Sequence, residues 1–131
     1  MVSTELPTEE LMRSDREFLN QLHLVLERNF GTRDFGVVHV ASMMNVSERQ
    51  LQRRVGALTG QSPIQYLRCF RLKKSLDYLR DGVPIGRTAL AVGFSSHAYF
   101  TSCFKARFGA TPKQVQMGTV RIPKNGQPAV K

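Results

Sequence analysis

The chain has 131 residues, of which 19 are Lys or Arg and 10 are Asp or Glu, so its formal net charge is +9. This length accommodates one domain, or two very small units that share a core, and it excludes two large domains. Residues 1 to 46 carry four basic and seven acidic side chains, whereas residues 47 to 131 carry 15 basic and three acidic ones. The positive second part is expected to attract a polyanion, either nucleic acid or an anionic membrane, with a general solubilising charge as the alternative.

Several classes of protein are disfavoured by what the sequence lacks. It has no run of 18 apolar residues and its first residues, MVSTELPTEEL, are acidic rather than apolar, so we predict a cytoplasmic protein without a membrane span. Cys69 and Cys103 have no CxxC spacing, and three scattered histidines form no cluster with metal-ligand spacing. We find no phosphate-binding loop or catalytic set and therefore expect no metal, no cofactor and no enzyme activity.

Proline and glycine divide the chain into segments with helical periodicity, which predicts an all-α fold. The first strong segment is SDREFLNQLHLVLERNF. Ser14 and Glu17 form a capping-box pattern at its start, and Gly31 ends it. Phe18, Leu22 and Leu26 recur on one face, so we predict a supporting helix preceded by a flexible flank, residues 1–13.

The segment VVHVASMMNVSERQLQRRVGALTG predicts a helix-turn-helix unit. Its first helix runs to about Met43, and its second is capped by Ser47. Ala41 is small enough for close helix packing, and Asn45 tolerates the left-handed conformation of the turn. Three apolar residues of the second helix are predicted to face inward (Leu51, Val55, Leu58), and five polar ones outward (Glu48, Arg49, Gln50, Gln52, Arg53).

The phrase GQSPIQ at residues 60–65 predicts the end of one helix and the start of the next. Gly60 stops the helix, Ser62 caps the following one, and Pro63 suits its first turn. The new helix is predicted to reach about Arg80 within a linker of residues 62–82. Its apolar stripe comprises Ile64, Leu67, Phe70 or Arg71, Leu72, Leu76 and Leu79.

The phrase returns as GATPKQ at residues 109–114, which is 49 residues further along the chain. The same shift superimposes Ser47 on Ser96 and Leu51 on Phe100, so a second helix-turn-helix unit is predicted. We predict Phe94, Tyr99, Phe100, Phe104 and Phe108 to be core residues, and His97, Ala98, Thr101, Ser102 and Lys105 to form the outer face. The fold thus predicted has about seven helices: units at 14–61 and 83–117, the linker between them, and a flexible tail, residues 118–131.

These features resemble the DNA-binding domain of the AraC/XylS family of bacterial transcription regulators over roughly residues 20–117. The most specific match is AVGFSSHAYFTSCFKARFGATPKQV, and the first unit adds NVSERQLQRRVGALTGQSPIQYLRCFRLKKSLDYL. The stretch LTGQSP is also similar to the module that ends hybrid sensor-kinase response regulators. Four positions depart from the family pattern: Asn45, Val55, Ser75 and Thr88.

The resemblance implies that residues 47–58 and 96–107 are recognition helices that enter the major groove. Such a groove is about 12 Å wide and admits one helix. We predict that Arg49 and Arg53 read guanine and that Gln52 reads adenine or a neighbouring base. On the second helix, base reading is assigned to His97, Thr101 and Ser102. The predicted phosphate contacts are Ser47, Arg68, Lys73, Lys74, Arg87 and Lys105.

The linker helix would extend about 27 Å, which is less than the groove repeat of about 34 Å. Reading two adjacent groove segments would therefore need a bent duplex or a pivot between the units.

The predicted partner is double-stranded promoter or operator DNA, together with RNA polymerase and a sensor or receiver domain outside this chain. The alternative is a helical module that docks an acidic protein such as RNA polymerase. A DNA-repair alkyltransferase is a remote third reading, because the domains for that chemistry are absent here.

Overall fold

A computed structural model describes residues 8–123 of the chain, with side chains described from residue 13 onward. Within this range all regular structure is helical, which confirms the all-α fold. None of these helices is both long and apolar enough to cross a membrane. The seven helices are α1 (Thr8–Asn29), α2 (Val37–Met43), α3 (Glu48–Thr59), α4 (Pro63–Arg80), α5 (Ile85–Ala91), α6 (His97–Phe108) and α7 (Pro112–Gln116).

The predicted start of the first helix is wrong, because α1 begins at Thr8 rather than after Ser14. No glycine or proline separates these two positions, so no helix-breaking residue opposes the earlier start. Ser14 accepts a hydrogen bond from Arg54 (3.4 Å) instead of capping α1. Of the flank predicted to be flexible, residues 1–7 lie outside the described range.

The helices enclose two hydrophobic clusters, and α4 contributes to both of them. The first cluster packs α1, α2 and α3 around Leu67 and Phe70 of α4. The second packs α5, α6 and α7 around Leu72, Leu76 and Leu79. The apolar residues of α4 therefore occupy two faces, one for each unit. The single predicted stripe is wrong at Ile64, which is 56% exposed and belongs to neither cluster.

The repeated phrase is the same capping structure in both units. Gly60 and Gly109 both adopt φ of 73°, the left-handed conformation that ends a helix. Ser62 then caps α4 by accepting a hydrogen bond from the Gln65 N–H (3.3 Å), while the Gln65 side chain accepts one from the Ser62 N–H (3.0 Å). Thr111 and Gln114 form the equivalent pair at α7. The glutamine of each phrase therefore completes a capping box, which the glycine, serine or threonine, and proline of the sequence pattern did not predict.

Replacing Ser62 with alanine is expected to lower the free energy of unfolding by about 1 kcal/mol, because the first turn of α4 loses its side-chain acceptor. Urea denaturation followed by circular dichroism would measure the change. Ser42→Ala is the matched control, since Ser42 is exposed in α2 and provides no cap. Equal effects of the two substitutions would contradict a capping role for Ser62.

The departures from the family pattern are accommodated locally. Asn45 adopts φ of 56°, which confirms the predicted left-handed turn. Ser75 and Thr88 are fully buried, and their hydroxyl groups donate to the backbone oxygens of Leu72 and Val83. Because both buried hydroxyls are hydrogen-bonded, they avoid the cost of an unsatisfied polar group.

The chain continues to pack after α7, in a segment that was predicted to be a flexible tail. Ile122 is 1% exposed within the second cluster, and its backbone oxygen accepts a hydrogen bond from Arg80 (2.6 Å). The prediction is therefore wrong for this stretch, because Ile122 lies in the core and Val120 packs against it. Residues 124–131 lie outside the described range.

Candidate nucleic-acid interface

Helix α3 is anchored by one face and leaves another free. Leu51 and Val55 are fully buried in the first cluster. Arg54 turns back towards α1, where its guanidinium lies 3.3 Å from the Asp15 carboxylate and 4.3 Å from the centre of the Phe18 ring. These contacts hold the helix from two sides and determine which of its residues face solvent.

The solvent face of α3 carries Arg49, Gln52 and Arg53, all exposed as predicted. Their spacing of three and four residues places them together on adjacent turns. Within residues 13–123 none of the three forms a side-chain hydrogen bond or ion pair, so their donors are available to a ligand. Gln50 is different, because its side chain accepts from the Ser47 N–H (2.9 Å) and closes the capping box of α3.

Helix α6 is held by a ladder of aromatic rings. Phe100 and Phe104 are fully buried, and Phe108 is 1% exposed. The distance between ring centres is 5.3 Å for Phe94 and Phe100, 5.6 Å for Phe100 and Phe104, and 4.7 Å for Phe104 and Phe108. These distances suit edge-to-face and tilted packing, which stabilises aromatic pairs beyond the burial of their area. Phe94 is buried against Phe100 and anchors the turn, as predicted.

Tyr99 was predicted to be a core residue, and this is wrong: it is 45% exposed. Its position, one residue before the buried Phe100, rotates it away from the second cluster. The ring lies 5.6 Å from Phe94 and 6.0 Å from the guanidinium of Arg68 on α4. Tyr99 therefore borders the cleft between the two units rather than the core.

The outer face of α6 forms a single shallow depression. It is lined by His97, Ala98, Thr101, Ser102 and Lys105, the same five residues that the sequence predicted to face outward. Thr101 is half-buried and the other four are exposed. A Cβ placed on Gly86 would lie 3.8 Å from His97 Nδ1, so the first turn of α5, with the exposed Arg87, is adjacent to this face.

The two outer faces have the same helical register. The 49-residue shift pairs Ala98 with Arg49, Thr101 with Gln52 and Ser102 with Arg53. Both helices also begin at an equivalent serine, Ser47 or Ser96, that caps the helix. The fold thus presents equivalent faces twice: long donors on α3 and small polar or apolar groups on α6.

The predicted phosphate contacts lie in different places. Ser47 starts α3, whereas Lys105 and Arg87 lie on or next to the outer face of α6. Arg68 is half-buried in the cleft between the units. Lys73 and Lys74 line a separate pocket with His23 and Arg107, and Lys74 is paired with Glu27 (2.5 Å). This pairing ties Lys74 to α1 and leaves it less free than the others.

Arg71 ties α4 to the segment that follows α1, a role that the sequence does not predict. Its Nε donates to the backbone oxygen of Phe30, and its Nη2 donates to that of Phe35, each at 2.9 Å. Burial lowers the pKa of the Arg71 guanidinium, an effect that the nearby Tyr99 opposes. A cationic residue within the apolar pattern of α4 was the available signal, because the periodicity admits Arg71 in the stripe only as an alternative to Phe70.

Residues 13–123 contain no group of three or more His, Cys, Asp or Glu side chains arranged to hold a metal ion. The chemistry of the exposed faces is hydrogen bonding and charge. Fold and surface together define a double helix-turn-helix domain.

Comparison with known proteins assigns the chain to a family. A family model described as a helix-turn-helix domain matches residues 40–117. The transcriptional activator RhaS of Salmonella arizonae is 31% identical over 106 residues, which are 80% of this chain and 38% of RhaS. The histidine kinase P4 of Formosa agariphila is 30% identical over 103 residues, 78% of this chain but 8% of that protein.

Solved structures agree with this assignment. The C-terminal domain of AraT, a response regulator from Geobacillus stearothermophilus, is 28% identical with a TM-score of 0.70 and covers 80% of this chain and 87% of its own. An AraC-type regulator from Chromobacterium violaceum is 25% identical with a TM-score of 0.75, covering 83% and 97%.

The chain belongs to the AraC-type helix-turn-helix family of DNA-binding transcription regulators. It spans well under half the length of these curated relatives.

Proposed function

We propose that this chain is the DNA-binding output module of a longer regulator and that it places α3 and α6 in two adjacent major-groove segments of its operator. The observation that carries the proposal is the pair of exposed faces in equivalent register, one on each helix-turn-helix unit. Side chains without an internal partner are what base reading requires, since they can donate to base edges without first breaking a contact.

The two helices are assigned different shares of the recognition. Arg49 and Arg53 suit the O6 and N7 acceptors of guanine, and Gln52 suits adenine. His97, Thr101 and Ser102 have shorter side chains, which favour contacts with thymine methyl groups and fewer hydrogen bonds. We therefore expect α3 to discriminate between sequences more strongly than α6.

Phosphate contacts are proposed for Ser47, Arg68, Lys73, Arg87 and Lys105, with Lys105 best supported because it lies on the outer face of α6. Lys74 is the weakest member of the predicted set, since a phosphate would compete with Glu27 for it. The excess of positive charge after residue 46 favours binding to any duplex, and base contacts would then select the operator.

The likeness to a histidine kinase and to a response regulator supports a receiver or sensor domain elsewhere in the full protein. RNA polymerase is the proposed protein partner, and a role at a promoter implies a place in the cytoplasm.

Selection of bound sites from a random DNA pool tests the function. Enrichment of one motif that survives an excess of random DNA is the expected result. Binding to DNA without enrichment of any motif would contradict base-specific recognition. Failure to bind DNA, together with capture of an acidic polymerase segment, would favour the protein-docking alternative instead.

Lys105→Ala is expected to weaken binding to the selected site and to random DNA alike, and to reduce the slope of log K against log salt by about 1, because one phosphate contact is lost. Fluorescence-anisotropy titrations over a range of salt concentrations would measure it. Lys113→Ala is the matched control, since Lys113 is exposed on α7, outside the depression on α6. An unchanged slope for Lys105→Ala would contradict the contact.

A further inference from the structure

The two units touch directly, away from the helix that connects them. The end of α1 lies against the turn that follows α5. A Cβ added at Gly31 would lie 2.3 Å from the backbone oxygen of Ala91, and one added at Gly93 would lie 2.4 Å from that of Phe30. Both approaches are closer than carbon and oxygen atoms tolerate, so glycine at each position permits this contact between the units.

Arg71 closes the same junction from α4. Its two hydrogen bonds reach the backbone oxygens of Phe30 and Phe35, which follow α1 in the first unit. Its Nε would lie 2.7 Å from a Cβ at Gly93 in the second unit, so the guanidinium lies directly against that glycine. Both hydrogen bonds are partly buried, and bonds from a charged donor are stronger than neutral ones.

This junction adds a second constraint to the one that α4 provides. The 18 residues of α4 set the distance between the units along its axis. Contact between α1 and the α5–α6 turn lies to one side of that axis and therefore opposes rotation of one unit against the other. A pivot between the two units would have to break this contact.

We propose that Gly31, Arg71 and Gly93 are positioning residues that lock the angle between α3 and α6 and thereby set the spacing of the two DNA half-sites. The inference rests on the proposed reading of two groove segments. Because each added base pair rotates a half-site by about 34° around the duplex axis, a rigid protein accepts one spacing and rejects its neighbours.

The experiment uses the selected operator and a series in which the half-sites are moved apart or together by one to five base pairs. Unmodified protein is expected to bind one spacing at least about tenfold more tightly than its neighbours, a discrimination comparable to one base mismatch. Arg71→Met keeps a long side chain but loses both hydrogen bonds. It is expected to reduce this preference to less than about threefold, while affinity for a duplex with the first half-site alone stays unchanged.

Gly31→Ala provides a second variant, in case Arg71→Met fails to fold. The added methyl group must push Ala91 away, so the preferred spacing is expected to shift or broaden. Gly36→Ala is the matched control: a Cβ there would meet no atom within 4 Å, Gly36 belongs to neither outer face, and the spacing profile should stay that of the unmodified protein. Circular dichroism confirms that each variant is folded.

The outcomes separate this inference from the proposed function. If folded Arg71→Met and Gly31→Ala keep the sharp preference of the unmodified protein, the junction does not position the units, although two-site reading stands. If the unmodified protein binds every spacing equally but more tightly than a duplex with one half-site, two groove segments are read and the junction does not lock the units. If it binds no spacing more tightly than a duplex with one half-site, the reading of two groove segments is wrong.

Discussion

Replacing Phe104 with alanine is expected to lower the free energy of unfolding by about 3–5 kcal/mol, a large share of the stability of a small domain. Phe104 is fully buried at the centre of the aromatic ladder, with its ring centre 5.6 Å from that of Phe100 and 4.7 Å from that of Phe108. Alanine would leave a cavity that two rigid neighbouring rings cannot fill. Urea denaturation would measure the loss.

The loss of stability should be greatest in the second unit, since Phe104 belongs to the cluster of α5, α6 and α7. Tyr99→Ala removes an aromatic ring from the same helix and is the matched control. Because Tyr99 is 45% exposed, its loss should cost clearly less. Equal destabilisation by the two substitutions would contradict the assigned core.

Arg53→Ala is expected to weaken binding to the selected operator by about 1–3 kcal/mol and to relax the base preference at one position. The physical reason is geometric: a guanidinium can donate two hydrogen bonds to the O6 and N7 of one guanine, and alanine can donate none. Arg53 is exposed on α3 and has no hydrogen bond or ion pair within residues 13–123 that would compete. Competition titrations with the operator and with random duplex would measure both effects.

Arg16→Ala provides the charge-matched control, because it removes one exposed arginine from α1 and leaves α3 and α6 unchanged. This substitution should lower the affinity for operator and for random duplex slightly and by the same factor. An Arg53→Ala variant that loses the same affinity for operator and random DNA would show that Arg53 contributes charge rather than base reading.

The outward faces of α3 and α6 were predictable because the cap residues and the spacing of the apolar residues lie within each helix or directly beside it in the chain. Ser47 and Gly60 delimit α3, and Leu51 and Val55 define its inner side. Once the inner side is known, a period of 3.6 residues determines the outer one. Tyr99 and Ile64 escaped this reasoning, since each is an apolar residue in an apolar pattern whose exposure depends on where the neighbouring helix lies.

By itself the sequence determined the helices after α1, their caps, the duplication and the side chains available for recognition, because each depends on residues close together in the chain. Tertiary structure alone decided that α4 serves two cores, that Ile122 is buried, and that Arg71 joins the units across the glycines at 31 and 93. The hydrogen bond from Arg71 to Phe30 spans 41 positions of the chain, and no local pattern specifies which distant backbone oxygen an arginine will reach.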